Sequence, residues 1–203
     1  MRNASFTVRA LVALLAALPL AAAAHTGADA GLHHGFAAGF LHSLTGFDHL
    51  AAMLAVGLWS ALAARRAWPD LLWAPLGFAA MLLAGALAGL AGAWMAAPVE
   101  PMIAVSLLVL GLLVLTRWRL PAPAGAALVG LFALFHGLAH GHELASEGAA
   151  ALTLAGMVGA TVLLHLLGIA VGWSLRHANR WLPRAAGAAV AVLGLALLGG
   201  WAS

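Results

Sequence analysis

The sequence predicts an all-α, polytopic membrane protein: six transmembrane helices in one compact bundle behind a cleavable signal peptide. Three observations lead there. Of 203 residues, 65% are hydrophobic and 7% charged, with a mean hydropathy of +1.04, more apolar surface than a soluble domain of this size can hide. Apolar stretches close to the ~20 residues needed to cross a bilayer recur along the chain, separated by short polar or proline-marked breaks. Arginines fall only in alternate breaks after the first stretch.

The first 24 residues form a separate unit. Arg2 and Arg9 supply a basic start, "ALVALLAALPLAAAA" an apolar core of signal-peptide length, and Ala22-x-Ala24 a cleavage motif. Cleavage before His25 leaves 25–203 as one transmembrane domain. The predicted spans are about 47–64, 71–94, 99–116, 121–141, 149–175 and 183–202. Pro69, Pro98, Pro101, Pro121, Pro123 and Pro183 fall at or beside the breaks. Recurrent small residues, as in "GALAGLAG" and "GAAVAVLGLALLGG", permit close helix approach. The stretch "GLHHGFAAGFLHSLTG" precedes the first span. As one helix, residues 33–64 would run to roughly 48 Å, well beyond a ~30 Å hydrocarbon core. A short segment, a break near Thr45-Gly46 and then the span is the expected arrangement.

Arginine placement orients the bundle. Arg65 and Arg66 separate spans one and two, Arg117 and Arg119 spans three and four, and Arg176, Arg180 and Arg184 spans five and six. Arginine-bearing loops are cytoplasmic by the positive-inside rule. The mature N-terminus and the C-terminus are then periplasmic, in a bacterial inner (cytoplasmic) membrane, which agrees with the signal peptide. Trp59, Trp68, Trp73, Trp94, Trp118, Trp173, Trp181 and Trp201 lie near predicted span ends and read as an interfacial belt.

Composition also excludes chemistry. Without cysteine there are no disulfides or thiolate metal sites. All nine basic residues are arginine and they form no basic stripe, so nucleic acid is not a partner; membrane lipid is. Ten histidines against six acids suggest coordination or proton handling. On the predicted topology, His25, His33, His34, His42, Asp48 and His49 gather at the outer end of span one. His136, His140, His142 and Glu143 gather at the outer end of span four. Ionisable groups at such depth are functional by default.

Helical phase refines this. At about 100° per residue, His136, His140 and Glu143 share a face while His142 points away. The glycines at 137 and 141 would let another helix or an ion approach. His42 and His49 sit roughly 10 Å apart along a continuous helix and reach one ion only if the backbone breaks between them. Imidazole and carboxylate without thiolate suit Ni²⁺, Co²⁺ or Zn²⁺, carried as substrate rather than held as a resident cofactor. His25, His33, His34 and His142 are secondary candidates at the mouth. His165 reads as a buried histidine bonded to a backbone carbonyl, with a deeper relay as the alternative. Met53 reads as packing.

His42-x5-Asp48-His49 followed by "LAAMLAVGLWSA", together with "FHGLAHGHE" at 135–143, closely resembles the two signature motifs of the HupE/UreJ family. The resemblance covers the whole mature chain, with Ser43 where many members have Pro. It implies a secondary nickel permease associated with hydrogenases or ureases, importing Ni²⁺, or cobalt in some relatives, from periplasm to cytoplasm. It also implies metal-handling roles for His42, Asp48, His49, His136, His140 and Glu143.

Other classes fit less well. A zinc protease would need H-E-x-x-H, and His142-Glu143-Leu144-Ala145-Ser146 ends on serine, so no enzyme is expected. A b-type cytochrome has no use for Asp48 and Glu143 beside its axial ligands. A non-transporting metal-binding accessory stays open as an alternative. No nucleotide-binding segment or ATPase subunit is identifiable, so transport would be secondary.

Overall fold

The computed structural model describes residues 35–65, 68–93, 96–146, 148–176 and 180–200. All of its regular structure is helical: α1 (Phe36–Thr45), α2 (Phe47–Ala63), α3 (Asp70–Leu90), α4 (Ala96–Thr116), α5 (Ala122–Leu144), α6 (Ala150–Leu175) and α7 (Trp181–Leu198). Five of these helices are long and apolar enough to cross a membrane. The α1–α2 pair, bent by 81° at its break, is a sixth candidate span when taken as one. The predicted signal peptide, His25, His33 and His34 lie outside the described residues.

The break falls at Gly46, whose extended backbone (φ −71°, ψ 110°) ends one helix and begins the next. Thr45 Oγ1 donates to Leu41 O at 3.0 Å, and Gly46 N–H donates to His42 O at 2.9 Å, closing the last turn of α1. No proline is required: Ser43 is buried and its hydroxyl turns back on Gly39 O at 3.4 Å.

Glycines decide which helices touch. A Cβ on Gly137 or Gly141 would run into Leu82 O or Ala86 O, so the backbones of α5 and α3 are in direct contact. The two glycines that sequence left open to a helix or an ion are therefore filled by a helix. Gly57 and Gly168 set α2 against α6 in the same way, Gly39 and Gly156 set α1 against α6, and Gly111 and Gly194 set α4 against α7. Close approach of this kind substitutes for the hydrophobic effect, which is absent between helices in lipid.

Helix α2 occupies the centre, with Ala52, Val56 and Ala61 wholly buried. Trp59 is buried there too, at 3% exposure, and does not belong to the interfacial belt. Its ring fills the space over Gly125 of α5, and its Nε1–H donates to Trp118 O at 2.9 Å. Proximity to a span end misplaced it because α2 is enclosed along its length. Trp68, Trp73, Trp118, Trp173 and Trp181 are exposed as expected, while Trp94 and Trp201 lie outside the described residues.

Pro75 interrupts the α3 ladder, since it has no N–H to give Leu71 O. Ser60 Oγ of α2 donates to that carbonyl at 2.7 Å, so no backbone acceptor is stranded. At the arginine-bearing end, Arg176 donates to Ala64 O and joins α6 to the end of α2. A cavity of about 250 Å³ opens there, lined by Trp59, Ser60, Arg65, Asp70, Ala74 and Arg119 among others.

Candidate metal centre

The 81° bend turns the end of α1 back over the start of α2, and α5 brings its last turns to the same place. His42, His49 and His140 each offer a ring nitrogen, all within 4.8 Å of one another. Their ring centroids lie 5.6 Å (42–49), 5.1 Å (42–140) and 4.5 Å (49–140) apart. His49 and His140 are 2% and 3% exposed.

The carboxylates stand behind the imidazoles. Asp48 Oδ1 lies 2.7 Å from His49 Nδ1, and Glu143 Oε2 lies 3.3 Å from His140 Nδ1. An ionised carboxylate only accepts, so each Nδ1 carries a proton, and in the neutral rings each Nε2 keeps its lone pair. Those two Nε2 atoms face each other at 2.5 Å, below the usual range for a neutral hydrogen bond. Two lone pairs so placed repel, and a shared cation removes the repulsion. Carboxylate–imidazole–metal chains are the ordinary way of fixing a ligand's tautomer and raising its basicity.

His136 lies one turn further in on α5, with its ring 5.5 Å from that of His49. It is outside the three-residue group. Its Nε2 meets Ser106 Oγ of α4 at 3.0 Å, while the same hydroxyl donates its only proton to Ile103 O at 2.6 Å. His136 Nε2 must then be the donor, which leaves a lone pair on Nδ1, a buried atom with no hydrogen-bond partner. Ser106 was missed at the sequence level; the only signal was a hydroxyl in the middle of the apolar run between Glu100 and Thr116. His142 is exposed, as its helical phase predicts, and Glu143 is half-exposed at the margin of the group. Met53 is buried one turn after His49, with its sulfur 3.4 Å from Thr161 Oγ1.

This is a multi-pass membrane protein with a buried cluster of imidazoles near one end of the bundle, set against a cavity at the other. A family model described as HupE / UreJ protein matches residues 12–197. The chain is 44% identical over 191 residues to Protein HupE of Rhizobium leguminosarum bv. viciae, an alignment covering 92% of this chain and 95% of that relative. No solved structure matches it. The chain belongs to the HupE/UreJ family.

Proposed function

We propose that this protein is a secondary transporter that carries a divalent transition-metal ion, Ni²⁺ foremost, from periplasm to cytoplasm for the maturation of a hydrogenase or urease. The observation that carries this reading is the pair of opposed Nε2 atoms on His49 and His140, each imidazole held by its own carboxylate, with His42 closing the third side. Neutral imidazoles suit Ni²⁺, Co²⁺ and Zn²⁺, and the absence of thiolate keeps the ion releasable. Family membership favours nickel among the three.

On this reading the ion enters at the end opposite the arginine loops, which face the cytoplasm in an inner membrane. His25, His33, His34 and His142 gather it at the mouth. His42, His49 and His140 replace its water shell, Asp48 and Glu143 orient and charge-balance the imidazoles, and His136 offers the next nitrogen inward. The test is ⁶³Ni uptake by cells producing the wild type, His49→Ala or His140→Ala at matched membrane levels, with cobalt and zinc as competitors. Uptake above empty vector in the wild type alone supports the reading. Wild-type uptake no greater than vector, with Ni²⁺ still bound by the purified protein, identifies a non-transporting accessory instead.

A further inference from the structure

Phe78 of α3 is wholly buried, and an imidazole packs against it from each of two other helices. His136 of α5 lies 6.1 Å from it, ring centre to ring centre, and His165 of α6 lies 5.2 Å away, edge-on at 89°. Each of these histidines keeps one buried ring nitrogen without a hydrogen-bond partner: Nδ1 of His136 and Nε2 of His165. His165 is 3% exposed, and its Nε2 does not make the backbone-carbonyl bond expected of this histidine. A polar atom stranded in a lipid-embedded bundle is costly. Packing gives no reason for two of them to flank one aromatic ring.

Depth orders these groups. A Cβ on Gly57 would meet His165 O, so His165 is level with Gly57. Gly57 lies eight residues inward from His49, about 12 Å along α2. On α3, Ala74 lines the inner cavity and Phe78 stands one turn above it. Moving inward, the series is His42/His49/His140, then His136, then Phe78, then His165, then the cavity at the arginine end.

We propose that His165 is an inner binding station for the transported divalent cation, entered from His136 when the Phe78 ring moves aside and emptied into the cavity below. This rests on the transport reading given above. Nε2 of His165 is the ligand atom, and no protein group competes for it. Phe78 prevents the ion from bridging both stations at once, so the path holds a dry partition between two imidazole stations. Met53 and Thr161, one turn above His165, line the same side with soft and hydroxyl donors.

The chain contains no cysteine, so His165→Cys places a single thiol at the station. The test uses that variant, His165→Leu and the wild type, all purified in lipid nanodiscs and also assayed for ⁶³Ni uptake in cells. The expected results are a thiolate-to-cobalt charge-transfer band in His165→Cys upon Co²⁺ addition, and uptake at least tenfold below wild type in His165→Leu. Equilibrium Ni²⁺ binding in His165→Leu stays within threefold of wild type, because the outer imidazoles are intact. Wild-type uptake in His165→Leu overturns the proposal, as does the absence of the band. Joint loss of binding and uptake in His165→Leu also overturns it, by making His165 a structural residue. If the wild type itself transports nothing, the transport reading fails; the cobalt band still reports separately whether an ion reaches residue 165.

Discussion

The Nε2 atoms of His49 and His140 face each other across 2.5 Å, one carried by the helix that starts after Gly46 and the other by the last turns of α5. Neither ring can turn away without giving up the carboxylate at its Nδ1. The contact is therefore held from both sides by the protein itself, and it joins two parts of the chain that are 91 residues apart.

Asp48 is the stronger of the two supports, 2.7 Å from its imidazole and 20% exposed, against 3.3 Å and 48% for Glu143. Asp48→Ala is expected to weaken Ni²⁺ binding by about 10–100-fold, the usual cost of losing such a partner. Glu143→Ala should cost less, since solvent competes for its carboxylate. Titration calorimetry on the protein in nanodiscs ranks the two, and equal losses would refute the ranking.

Gly46 does more than break the helix. A Cβ there would sit 3.1 Å from His49 Nδ1 and 3.3 Å from Asp48 Oδ1, pressing on the pair that fixes the tautomer. Gly46→Ala should leave the fold intact, because φ of −71° suits any residue, while lowering nickel affinity by about tenfold. Circular dichroism and Ni²⁺ binding measured on one preparation separate the two effects.

Ser106 gives His136 its only hydrogen bond among the described residues. In Ser106→Ala, Nε2–H of a buried imidazole loses its acceptor, and destabilisation of about 1–3 kcal/mol is expected. Denaturation of the variant in detergent checks the value. Ser106→Thr, which keeps the hydroxyl, should retain more of the stability.

The glycine contacts between α3 and α5 predict a steep response. A Cβ at Gly85 would run into Leu134 O, a backbone atom that cannot yield, whereas Gly148 has nothing within 4 Å. Gly85→Leu should abolish the monodisperse peak in size-exclusion chromatography, and Gly148→Ala should elute as wild type. A folded Gly85→Leu protein would mean that the two helices separate freely.

Much of the site could be read from the chain. His42-x5-Asp48-His49 and "FHGLAHGHE" were visible as two halves, and the need for a break between His42 and His49 followed from helix rise alone. Gly46 supplies that break. Which atoms would meet was not readable. Phase places His136, His140 and Glu143 on one face, but only the neighbouring helices decide that His140 joins His42 and His49 while His136 turns to Ser106. The carboxylate contacts behind the imidazoles are local, Asp48 beside His49 in the chain and Glu143 one turn after His140.

By itself the sequence determined the membrane class, the helix limits to within a few residues and the identity of the polar clusters. These depend on hydropathy, arginine placement and spacing, which are local quantities. The structure alone decided the rotation of each helix about its axis and the choice of partner. Helices that are apolar all round have no polar face to orient them, so their rotation is set by where glycines let backbones touch. That rotation buried Trp59, brought three imidazoles together and left His136 and His165 on either side of Phe78.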